Sequence, residues 1–71
     1  VQGRLEIQEF NVRTGAGIPA DATRTLAGLV LSFLGRRPRP GDEVIIYGFR
    51  FMVLECHGII INRLDVIREE A

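Results

Sequence analysis

The sequence has no lysine and no tryptophan, and only one cysteine, one histidine, one methionine and one tyrosine. A lone cysteine, Cys56, excludes an internal disulfide and any zinc site built from cysteine pairs. A lone histidine, His57, leaves no partner for a two-histidine relay, and no serine or cysteine has a recognisable base near it in sequence. An excess of either charge is also missing. Nine arginines face nine acids, three against three in residues 1–35 and six against six in residues 36–71. Without a basic field to gather phosphates, a nucleic-acid partner is not expected. No apolar run reaches the roughly 18 residues that cross a bilayer, so no direct membrane insertion is expected, and no charged-then-apolar leader is present. A chain that starts at Val1 without methionine reads as a piece of something longer.

What is present suits a small folded unit. The 71 residues are 46% hydrophobic and 25% charged, an ordinary globular balance. A domain of this size buries only roughly 60% of the surface its unfolded chain exposes, so its stability is thin.

Val1 to Ile7 alternates loosely, like the tail of a strand turning at Gly3. From Glu6 to about Thr14, Ile7 and Phe10 fall three apart among polar neighbours, which suits a short helix closed by Gly15. Gly15 to Ala20 is a connector. Its two glycines have the spacing of a phosphate loop but lack the third glycine and the lysine. The strongest local signal runs from Asp21 to Gly35. Leu26, Leu29, Val30, Phe33 and Leu34 recur at the spacing of a core-facing helix. Asp21, Thr23 or Thr25 can cap its start, and Gly35 can close it. Gly28 inside this helix predicts that a helix or sheet backbone passes very close.

Arg36 to Asp42 is a stiff connector with two prolines. Three strand-like runs follow, Glu43–Tyr47, Phe49–Cys56 and Ile59–Ile67, separated by Gly48 and by His57-Gly58. They predict a three-stranded antiparallel meander. Alternation places Val44 and Ile46 opposite to Ile45 and Tyr47, Phe51 and Val53 opposite to Met52 and Leu54, and Ile60, Leu64 and Val66 opposite to Ile59 and Ile61. The expected fold is therefore α+β: two helices on one face of a small, largely antiparallel sheet, in the order strand remnant-α-α-β-β-β. The uncovered face, with Ile45, Met52, Leu54, Ile59 and Ile61, is either an interface or hidden by an additional strand or by curvature of the sheet.

The run Thr25-Leu26-Ala27-Gly28-Leu29-Val30-Leu31, then Leu34-Gly35-Arg36 with Pro38, Gly41-Asp42 and Val44, and Gly48 with Phe51 and Val53, resembles the CorC/HlyC transporter-associated domain. Gly3, Leu5, Ile7, Phe10 and Asn11 are similar to its opening segment, and Ile18-Pro19 to the pair before its long helix. The resemblance covers residues 1–71 as one domain and departs from the family in one respect, since part of the first strand is missing ahead of Gly3. It implies a non-catalytic cytoplasmic domain of an integral membrane protein such as a magnesium/cobalt efflux or haemolysin-like protein. Such domains often follow paired cystathionine-synthase-type (CBS) modules and are thought to modulate ion transport. The partners implied are the parent chain or a second copy, in a homodimer. The fold resembles part of a flavin-binding fold, which makes FAD a ligand by analogy only; no cofactor is required.

Local chemistry adds few site candidates. Cys56-His57 would need two further metal ligands from Asp42, Glu43, Glu55 or Asp65, and a turn histidine beside a half-buried cysteine is the simpler reading. Asp42-Glu43 and Glu69-Glu70 read as a solvated turn and a charged tail rather than a hard-cation site. Arg36, Arg37 and Arg39 could touch anionic headgroups or a phosphate, but read better as a solvated connector. Tyr47 and Phe49 are candidates for stacking on a flat ring such as a flavin or adenine, with Arg36 of the connector nearby, which would make the domain a nucleotide- or flavin-sensing module; sheet packing is the simpler reading.

Overall fold

The computed structural model describes residues 1–69. Helix α1 spans Ile7–Thr14 and α2 spans Leu26–Leu34. They are followed by β1 (Glu43–Ile46), β2 (Phe49–His57) and β3 (Ile60–Arg68). The strands lie in the order β1-β2-β3 with both pairings antiparallel, so the expected α+β meander is the observed one.

The short opening segment joins the two layers. Antiparallel bonds tie it to the edge of β3: the Gly3 amide donates to Asn62 O at 2.8 Å, and the Leu64 amide to Val1 O at 2.8 Å. Its other carbonyls serve α2, because the Leu26 amide donates to Leu5 O at 2.9 Å and the Ala27 amide to Gly3 O at 2.8 Å. The next amide, of Gly28, donates to Oγ1 of Thr25 at 3.2 Å, which settles the cap on Thr25. Three donors that a helix start ordinarily leaves unpaired are thereby satisfied before the first intrahelical bond, from Leu29 to Thr25 O.

This wedge corrects one expectation. The close approach predicted at Gly28 occurs at Gly3. A Cβ on Gly28 would meet only the side chains of Thr23 and Thr25 at ordinary contact distances. A Cβ on buried Gly3 would overlap the carbonyl oxygen of Ile61, with Ala27 Cβ a further 3.1 Å neighbour.

The core lies between helices and sheet. Leu26, Leu29 and Val30 of α2, Ile7 and Phe10 of α1, and Ile46, Phe49, Phe51, Val53, Ile61 and Leu64 of the sheet are buried. Phe10 seats α1 by an edge-on contact with Phe49, centroids 5.1 Å apart, and a tilted one with Phe51 at 5.7 Å. Arg68 lies 5.0 Å above the Phe49 ring and donates to Thr14 O at 2.9 Å, closing the end of α1. The connector is held by Asn11, whose Nδ2 donates to Ile18 O at 2.9 Å and whose Oδ1 accepts from the Ile18 amide at 3.1 Å. That two-way bond buries Ile18.

Three further expectations change. Phe33 belongs to the apolar stripe but is 57% exposed, while Leu31 and Leu34 of the same turn pack against the core. Tyr47 is not in β1. With Gly48 it forms the hairpin turn, both at positive φ (50° and 81°), as a type I′ turn requires. The second turn is Gly58-Ile59, bracketed by the pair His57 and Ile60, with glycine at φ 63° in the first central position. Ile59 therefore stands at a hairpin tip, not within a strand.

Candidate functional site

The residues that carry the family resemblance build the fold. Thr25 caps α2, Leu26 and Phe51 are core, Gly35 closes α2, Pro38 is buried, and Gly48 makes the first hairpin turn. The Gly41 amide donates to Val53 O at 2.7 Å, extending the sheet beyond β1. Asp42 is a brace. Its two carboxylate oxygens accept from the Arg36 guanidinium at 2.8 and 3.0 Å, and Oδ2 also accepts from the Arg39 amide at 2.8 Å. The Arg36 hydrogen bond, and then the Arg39 amide, hold the Asp42 carboxyl below the usual carboxylate range, while Asp42 raises Arg36.

These placements separate the three candidates for a flat ring. Phe49 is buried among Phe10, Phe51 and Arg68, so it has no face to offer, and Arg36 is engaged by Asp42. Tyr47 is 62% exposed and lines a shallow apolar groove of about 280 Å³ with Ile18, Pro19, Leu29, Phe33 and Ile46. The acidic pairs are also separated: Glu43 and Glu69 both approach Arg50, and Asp42 is braced. Glu70 lies outside the described residues. Cys56 donates weakly to Pro38 O at 3.5 Å, and His57 pairs with Ile60 at the hairpin end. Among the described residues no three potential metal ligands converge.

What remains is the sheet face turned away from the helices. Register puts Ile45, Arg50 and Ile67 in one cross-strand row and Glu43, Met52 and Asp65 in the next. Leu54 follows Met52 and is exposed. Arg50 pairs with Glu43 at 3.9 Å and with Glu69. The face is thus a checkerboard of apolar and charged side chains, not a continuous apolar sheet. Ile45, Met52 and Leu54 lie on it as expected. Ile59 sits at the tip, and Ile61 is buried. The reason is a pair of opposite register shifts between Val53 and Cys56, where Leu54 of β2 and Asn62 of β3 are each left without a partner in the other strand and the original register then resumes. Alternation in β3 breaks across exposed Asn62 and Arg63, so Ile61 joins Leu64 in the core and Ile60 turns outward. Ile67, which this face includes, could have been found from its alternation with Asp65 and Arg50.

Comparison with known proteins follows the same residues. The transporter associated domain model, CorC_HlyC, matches residues 1–70. Hemolysin C of Brachyspira hyodysenteriae is 30% identical over 67 residues, 93% of this chain but 25% of that protein, so the chain spans about a quarter of the relative it matches. Among solved structures, the transporter associated domain of a Xylella fastidiosa hemolysin, in complex with Mg²⁺ and Mn²⁺, superposes with a TM-score of 0.87. It is 30% identical, over 99% of this chain and 85% of that one. A hemolysin domain from Enterococcus faecalis gives a TM-score of 0.88 at 26% identity, over 99% and 86%.

Proposed function

Because the chain belongs to the CorC/HlyC transporter-associated domain family, we propose that residues 1–71 act as one non-catalytic regulatory and interaction domain of a membrane ion-efflux or haemolysin-like protein. In this reading the parent holds the domain on its cytoplasmic side, with CBS-type modules upstream, and transport is modulated through protein contacts. The observation that carries it is the helix-free sheet face, where Ile45, Met52, Leu54 and Ile67 stand among Glu43, Arg50 and Asp65. Apolar groups interleaved with both charges suit a contact that forms and releases, whereas a permanent interface is more uniformly apolar. The contact is with a second copy, giving a homodimer.

Sedimentation across a concentration series tests this. Association that Met52→Lys weakens, with a melting temperature that does not fall, supports the reading. A chain that stays monomeric throughout, or sediments identically with Met52→Lys, overturns it.

A flavin or nucleotide role is the weaker reading, since Phe49 is packed inside and Arg36 is committed to Asp42. The Mg²⁺ and Mn²⁺ of the Xylella relative find no converging donor set among the described residues here.

A further inference from the structure

The β2–β3 hairpin ends in two adjacent isoleucines that the fold does not use. Ile59 is 63% exposed and Ile60 is 64% exposed, and neither belongs to the buried core. The turn itself asks only for glycine at its first central position, which Gly58 supplies. Arginines surround this tip. The Arg37 guanidinium lies 3.7 Å from where a Gly58 Cβ would stand. Arg4 and Arg63 line the same open groove as Ile60. Among the described residues none of the three has an ion-pair partner. Arg4 donates only to the neutral Gln2 side chain, at 2.7 Å. Glu55 is registered against Arg63, and Glu6 and Glu9 line a second groove with Arg4 and Arg13. The acids near these arginines are therefore matched by further arginine, while Arg37 stands beside Gly58 with no ion-pair partner among the described residues. The connector bearing Arg37 is fixed in place by buried Pro38, by the Cys56 contact to Pro38 O and by the Asp42 brace.

We propose that this tip is a docking point for an anionic bilayer surface. Ile59 and Ile60 enter the boundary between headgroups and acyl chains while Arg4, Arg37 and Arg63 meet lipid phosphates. Charge complementarity selects this occupant over a second copy of a chain whose charges cancel. Apolar groups ringed by arginine are also the combination that lies on a membrane without crossing it. Two isoleucines and a few arginines hold weakly alone. A domain tethered to a membrane protein, as the proposed function has it, needs no more than that, because the tether raises its effective concentration.

The absence of tryptophan provides the experiment. Ile59→Trp places a single reporter at the tip, and Val12→Trp, on an α1 position 84% exposed, places a control elsewhere. With phosphatidylglycerol vesicles, Ile59→Trp emission should shift to the blue and be quenched by brominated lipid, while Val12→Trp stays unchanged. Adding Arg37→Glu should weaken binding by at least about fivefold, the share of one basic residue near an anionic surface. Melting temperatures equal to the parent chain confirm that the variants fold. An unshifted Ile59→Trp, or one that responds equally to phosphatidylcholine vesicles, overturns the proposal. So does a blue shift that grows with protein concentration in the absence of lipid, which would make the tip a protein contact. None of these outcomes depends on Met52, so failure here is distinct from failure of the sheet-face interface.

Discussion

The seam formed by residues 1–5 and the outward face of the sheet are built on opposite terms. At the seam, backbone meets backbone: Gly3 fits only because it has no side chain, and every carbonyl named there accepts a bond from α2 or β3. On the outward face, apolar and charged side chains stand interleaved, with no helix of the described residues packed over them. At Gly3 the seam tolerates no added volume, whereas the exposed positions of the face have room for it. With the proposed function, stability and function fall to different residues, and substitutions can test how cleanly.

Gly3→Ala should have the largest effect. A methyl group against the Ile61 carbonyl forces the segment off β3 and off the start of α2, and overpacking of this kind costs about 3 kcal/mol. In a domain this small that lowers the melting temperature by roughly 12–24 °C, read by circular dichroism. Asn11→Ala comes next. It removes both bonds to Ile18 and frees the connector, for about 2 kcal/mol in urea denaturation. Thr25→Ala removes the single side-chain cap of α2, for about 1 kcal/mol. The Asp42 brace is smaller and depends on pH. Because its folded carboxyl is depressed, its contribution is fully present above the ordinary aspartate value of about 4 and is lost as pH falls through the lower folded value. Asp42→Asn should flatten the acid limb of the melting curve without moving the neutral plateau far. Met52→Lys, which would stand between Glu43 and Asp65, should change stability least, by under about 0.5 kcal/mol. If it instead unfolds the domain, the division between seam and face fails.

The parts of this division legible in sequence are those set by local chemistry. The α2 stripe, its Thr25 cap, Gly15 and Gly35 as closures, and the two hairpins follow from periodicity and turn residues, and each lies within a few positions of its cause. The rest depends on distant partners. Gly3 is special only because Ile61 lies against it, nearly sixty residues on. The change of face at Ile61 comes from the paired register shifts around Glu55, which alternation alone does not encode. Phe33 matches the helix stripe yet stays exposed, lining the groove with Ile46 and Tyr47 instead of entering the core. Ile59, assigned to a strand face, is carried to a tip by the choice of turn. Of the sheet-face candidates, Ile45, Met52 and Leu54 were readable because β1 and the first part of β2 alternate without interruption.

The pairing of Val1 and Gly3 with Leu64 and Asn62 also sets an order of assembly. During synthesis the first residues emerge long before the strand that receives them, and they cannot dock until it has left the ribosome. Until then the Leu26 and Ala27 amides lack acceptors in fixed positions, since the carbonyls of Leu5 and Gly3 are themselves unanchored. The helix completes its start only once β3 is available. A domain whose opening contacts span almost its whole length closes late, so a nascent chain whose β3 is still inside the ribosome should be helix-poor and protease-sensitive over these residues rather than a nearly finished domain.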